Sequence, residues 1–222
     1  MSLSTAPSSP PSPDATAAAL QWLAEQASAM QELLQQVVDT DSGSGDVEGV
    51  QRVAALLRAR LEAAGIAVQT LPEPGWGECL LARVPGHNPA ATGHLQLMGH
   101  MDTVFPRGTA AQRPFRVEAG RAYGPGVADM KSGLVMNVFV LEALARFGGN
   151  ASPVQLFFSC DEEVGSPACR GRIREISQGA RAVLNAEPGR MVTEIVKVNG
   201  FHDGHYQLEP VTHIKELLHE IA

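Results

Sequence analysis

Apolar residues recur at helical spacing early in the chain: Leu20, Leu23, Ala27, Met30, Leu33, Leu34, Val37 and Val38. That periodicity predicts one amphipathic helix from an N-cap at Asp14 through residue 38. The polar run DTDSGSGD breaks it. A second helix is expected over about Val47–Ala64, with Val50, Val53, Leu57 and Leu61 on one face and Gly65 as its stop. The period then shortens. IAVQTL (66–71), ECLLARV (78–84) and HLQLMG (94–99) read as strands. Residues 128–147 return to helical spacing and end at Gly148 and Gly149. VQLFFSC (154–160), ARAVLNA (180–186) and TEIVKV (193–198) are again strand-like. Helices alternating with continuous apolar strands predict an α/β layer fold with a mainly parallel sheet.

Both ends differ from this body. Residues 1–13 are rich in Ser and Pro and are expected to be a disordered tail, without the basic and apolar regions of a secretory signal. The domain is expected over 14–200, followed by a tail, 201–222. In that tail FHDGHY reads as an exposed loop carrying His202 and His205. VTHIKELLHEIA reads as a short amphipathic helix carrying His213 and His219. With 222 residues and 44% hydrophobic composition, the chain can bury one real core. A net charge of -7 with scattered basic residues argues against nucleic acid as a partner. No apolar run is long enough to span a membrane. Cys79, Cys160 and Cys169 are odd in number and form no CxxC pair. This argues against a disulfide framework or a thiolate zinc knuckle and favours a reducing, cytoplasmic compartment.

Chemistry gathers where predicted strands end. MGHMDTV places His100 and Asp102 one residue apart, on the same side of an emerging strand. The pair suits a metal ligand with its carboxylate, or a histidine satisfied at a sheet edge. YGPGVADMKSG sets Asp129 just before a helix, as a ligand or as an N-cap, with Lys131 expected to be solvated or locally paired. FFSCDEEVGS puts Asp161, Glu162 and Glu163 directly after a hydrophobic run. A cation would relieve their mutual repulsion, and an exposed acidic turn would dilute it. VLNAEPGR ends a strand at Glu187, a ligand or an exposed turn residue. One imidazole and several carboxylates at successive strand ends occupy the usual ligand position of an α/β sheet. That donor set suits Zn²⁺, with Mn²⁺ and Co²⁺ next.

HMDTV, GPGVADMKSG, DEEVGS and AEPGR, in this order, resemble the catalytic domain of the aminoacylase/glutamate-carboxypeptidase family of dinuclear zinc peptidases. The resemblance covers about residues 30–190 and is nearest to the glutamate carboxypeptidase branch. It implies a three-layer α/β zinc-exopeptidase-like fold with a mainly parallel mixed sheet. It further implies that His100 and Glu187 bind the first zinc, that Asp129 bridges both, and that Glu163 binds the second. Asp102 would orient His100, Glu162 would act as general base, and a cis peptide would join Asp129 and Met130. Members continue into a lid domain that dimerises, and then supply a second histidine ligand. With only 188–222 after Glu187, the lid is expected to be absent, the second zinc to lack its histidine, and any homodimer to lack its usual contact. The implied activity is release of a C-terminal amino acid, plausibly glutamate, from a small peptide or N-acyl amino acid, weak or lost in this short form. The alternatives are an N-acyl-amino-acid deacylase or dipeptidase, and a non-catalytic metal-binding scaffold.

Overall fold

The computed structural model describes residues 13–188, 195–202 and 205–211. The first helical pattern is two helices, α1 (Pro13–Glu25) and α2 (Ala27–Val38), separated at Gln26. The apolar period runs through the break because both pieces face the same core. Trp22 of α1 stacks on Phe139, with ring centroids 6.2 Å apart, while Leu33, Val37 and Val38 of α2 are buried. Pro13, expected in the disordered tail, opens α1, where its missing N–H costs nothing. Helix α3 (Val47–Ala63) starts at Asp46, whose Oδ1 accepts a hydrogen bond from Gly49 N at 3.0 Å. Its buried face is the predicted one: Val50, Val53, Leu57 and Leu61.

Strands β1 (Val68–Glu73), β2 (Gly77–Val84) and β3 (His94–His100) follow. Next come a short α4 (Thr109–Gln112) and a small antiparallel pair, β4 (Arg116–Glu118) and β5 (Arg121–Tyr123), which the apolar pattern does not signal because these residues are largely exposed. A tight turn, Val127–Lys131, leads into α5 (Ser132–Phe147). Strand β6 (Val154–Ser159), helix α6 (Arg170–Ile176) and strand β7 (Ala180–Asn185) complete the main sheet. Beyond it, β8 (Ile195–His202) and β9 (His205–Val211) pair antiparallel, with His202 opposite His205. Phe201, His202, His205 and Tyr206 of FHDGHY are therefore strand residues rather than parts of a free loop. Of the helix expected over VTHIKELLHEIA (211–222), Val211 ends β9 and the rest, like most of the N-terminal tail, lies outside the described residues.

Among the described residues, five strands form one mixed sheet in the order β1-β2-β6-β3-β7. The β1/β2 and β2/β6 pairs are antiparallel, and β3 runs parallel to both β6 and β7. Burial on both faces explains why β3 and β6 read as continuous apolar runs. The parallel arrangement brings the C-terminal ends of β3, β6 and β7 to one edge.

Helix α5 lies close to that edge. Asn137 Nδ2 donates to Met98 O of β3 at 2.9 Å. A Cβ on Gly133 would fall 2.4 Å from Ala186 O, one residue before Glu187. Gly133→Ala should therefore cost about 1–3 kcal/mol and displace the segment bearing Glu187. Urea denaturation checks this, and an unchanged midpoint would show that the approach of α5 to residue 186 is not constrained.

Candidate metal centre

His100 is the last residue of β3 and is almost fully buried. Its Nδ1 lies 2.9 Å from the Asp102 main-chain carbonyl and 3.4 Å from Asp102 Oδ1. An N–H at Nδ1 donated to that carbonyl leaves the Nε2 lone pair facing the open side of the edge. There Nε2 meets Asp129 Oδ1 at 3.1 Å, Glu187 Oε1 at 3.5 Å and Glu162 Oε2 at 3.7 Å. The Asp129, Glu162 and Glu187 side chains are partly open to solvent, so the imidazole forms the floor and the carboxylates the rim.

Asp102 is completely buried and does more than face the imidazole. Its Oδ1 accepts from Glu162 N at 3.0 Å, and its Oδ2 from Ser44 Oγ at 2.6 Å and Glu163 N at 3.1 Å. One carboxylate thus ties the end of β3 to the turn after β6. Ser44, in the polar break DTDSGSGD, carries no motif signal. Its role is visible only once Ser44 N bonds Thr103 O at 3.0 Å and brings the break beside β3.

Asp129 is held by the turn before α5. Gly126 adopts φ +69°, and a Cβ there would fall 2.5 Å from the Thr103 methyl. The peptide Asp129–Met130 is cis, as the resemblance implies. Met130 Sδ accepts from His100 N at 3.1 Å. Lys131 is buried rather than solvated. Its Nζ donates to Thr40 O at 2.7 Å, and burial pulls its pKa down to about 8 despite Asp41 and Asp39.

The electrostatics are those of a crowded acidic site. Burial opposes charge on His100, but Asp102 and Glu187 outweigh it and raise the pKa to about 11. Desolvation raises Glu162 and Glu163, and neighbouring carboxylates add to the shift against the opposing pull of His100. Desolvation would also raise Asp102, yet hydrogen bonds from His100 and Ser44 hold it below the ordinary carboxylate range. A dication among these groups would satisfy the crowded carboxylates and take the place of the proton on Nε2.

The residues present fit such an ion. Ligand atoms of His100, Asp129 and Glu163 lie within 4.8 Å of one another, and so do those of His100, Glu162 and Glu187. The structure thus brings together His100, Asp102, Asp129, Glu162, Glu163 and Glu187, while Asp161 turns to Ala168 and Cys169 and Lys131 to Thr40. It groups them differently from the resemblance, placing Glu162 beside Glu187 at the imidazole. The side chains of His202 and His205 and the whole of the 212–222 segment lie outside what is described, so the expected lack of a second histidine ligand falls outside the described residues.

Three similarities bear on this arrangement. Carboxypeptidase G2 of Pseudomonas sp. (strain RS-16) is 35% identical over 158 residues, which make up 70% of this chain and 37% of that protein. The fold is similar to that of human carnosine dipeptidase 1, with a TM-score of 0.67 and 15% identity over 85% of this chain and 44% of the other. It is also similar to a metallo-carboxypeptidase of Sulfolobus solfataricus, with a TM-score of 0.60 and 22% identity over 72% and 37% of the two chains. The chain spans less than half the length of each. A family model described as peptidase family M20/M25/M40 matches residues 96–218, more than half of the sequence, and the chain belongs to that family.

Proposed function

We propose that the chain carries the catalytic centre of a zinc-dependent amide hydrolase of the glutamate carboxypeptidase type, working in a reducing, cytoplasmic compartment. Its substrate would be a small peptide or N-acyl amino acid that loses its C-terminal residue. One observation carries the proposal: His100 Nε2, on the floor of an open edge, is faced by the carboxylates of Asp129, Glu162 and Glu187 within 3.7 Å. Similarity to carboxypeptidase G2 supports the choice of substrate class.

In this reading His100, Asp129 and Glu187 hold one zinc, and Asp129 and Glu163 hold a second. Bound zinc supplies Lewis acidity, polarising the scissile carbonyl and acidifying a water. Glu162 takes the proton from the attacking water and returns it to the departing amine nitrogen. A carboxyl held above its ordinary value by desolvation is suited to both halves of that transfer. Asp102 keeps the imidazole turned so that Nε2 points at the rim, and keeps the Glu162–Glu163 turn against β3.

The test is elemental analysis of the purified chain after dialysis against trace zinc, paired with hydrolysis of an N-acyl glutamate before and after chelation. Bound zinc and glutamate release that disappears with chelator and returns with zinc are expected. A folded chain that binds no zinc would overturn the assignment of the centre. Zinc binding with a preference for varied acyl chains over peptidyl groups would redirect the substrate class to a deacylase. Zinc without any turnover would leave the scaffold reading.

A further inference from the structure

Away from this centre, three thiols meet in the interior. Cys79 lies on β2, Cys160 directly follows β6, and Cys169 caps the start of α6. Their Sγ atoms are 3.2 Å (Cys79–Cys169), 3.5 Å (Cys160–Cys169) and 3.8 Å (Cys79–Cys160) apart. All three are free thiols with no solvent exposure. The odd count and the missing CxxC argue against a thiolate site, yet the fold assembles three sulfurs from separate elements.

A second observation points the same way. Asp161 is fully buried, and its Oδ2 accepts from Ala168 N at 2.6 Å and Cys169 N at 3.2 Å. Its Oδ1 has no hydrogen-bond partner in the protein. A buried carboxylate oxygen left unpaired costs about 1–3 kcal/mol or more, a cost that a cation held close by would lower. Asp161 also neighbours the cluster. The Cys169 thiol is pushed up first by its hydrogen bond with Cys160, then by burial and by Asp161.

We infer that Cys79, Cys160 and Cys169, with the Asp161 carboxylate nearby, form a second and purely structural metal site for a thiophilic d¹⁰ cation such as Zn²⁺. The sulfur triangle has a circumradius of about 2.0 Å, so a cation about 2.3 Å from each sulfur sits about 1 Å above their plane. That is close to one face of a tetrahedron. Each sulfur that ligates releases its proton to water, and no electron is transferred. With no exposed atom the site offers nothing to a substrate. Its effect is to pin β2, the end of β6 and the start of α6 together, immediately before Glu162 and Glu163. It shares no residue with the carboxylate centre and does not depend on the function proposed for it.

Cadmium separates the two sites, because sulfur-to-cadmium charge-transfer absorption arises only from thiolate ligands. The full chain is stripped with chelator under reductant, and one sample is refolded with Cd²⁺ so that a closed site is loaded. Absorption saturating at one equivalent per chain is expected, falling at least fivefold in Cys79→Ala and Cys169→Ala. A folded wild-type chain without that band, or variants that retain it, would overturn the inference. Should the variants fail to fold, zinc-edge X-ray absorption of the zinc-refolded wild-type chain decides. Sulfur scatterers at about 2.3 Å are expected, and nitrogen and oxygen scatterers alone would overturn the site.

Discussion

Glu162→Gln is expected to lower kcat for N-acyl glutamate hydrolysis by about 10²–10⁴-fold with zinc content unchanged. The amide matches the carboxylate in shape but cannot accept the proton of the attacking water. The side chain stands on the rim, half exposed, where the substitution leaves no buried group unpaired. Its backbone N–H still reaches Asp102 Oδ1, so the turn keeps its attachment to β3. The measurement is kcat, KM and metal content on the same preparation. Because Glu162 stands beside Glu187 at the imidazole, a parallel loss of zinc would make it a ligand and would sink its role as base.

Asp102→Ala is expected to be the most damaging single change for the fold at this edge, at about 3–5 kcal/mol in urea denaturation. It strips the Ser44 hydroxyl and two backbone N–H groups of their acceptor and leaves a raised imidazole without its counter-charge. Zinc affinity should fall by about 10–100-fold as the ring loses its fixed orientation. The sign of the pH dependence follows from the depressed carboxyl. Its contribution is fully present above the unfolded value near 4 and is lost as pH falls through the lower folded value. Wild type should therefore lose more stability than Asp102→Ala on acidification below about pH 4. Equal acid slopes for the two proteins would show that the Asp102 bonds are not formed in solution.

The clustering of the candidate residues was legible in the sequence because most of them sit at the end of an apolar run, and strand ends of parallel neighbours share an edge. His100, Glu162, Glu163 and Glu187 all follow that rule. Asp129 does not follow a strand, and its place depended on GPGVADMKSG and the tight turn it encodes. What stayed hidden has a common cause. The break at Gln26, the Ser44–Asp102 bond and the meeting of Cys79, Cys160 and Cys169 are all set by packing between segments distant in sequence, which local spacing does not report. The β4/β5 pair, largely exposed, offered no alternation to read. TEIVKV reads as a strand and its residues 195–198 lie in β8, but the end of β8 and all of β9 go unread because a histidine-containing polar stretch looks like a loop when its pairing partner lies a few residues away.

The place of β6 has a consequence for synthesis. Strands β2 and β3 are neighbours in sequence but not in the sheet, since β6 lies between them and bonds to both. A nascent chain that has emerged only as far as α5 therefore carries two apolar strands with a strand-wide gap between them, and each presents an unpaired edge. At about 5–20 residues per second the ribosome takes on the order of a second to supply the missing strand. During that interval the half-made sheet is a target for chaperones or for pairing with another copy. Arrival of 154–159 closes the gap and brings the turn carrying Glu162 and Glu163 alongside His100 in the same step.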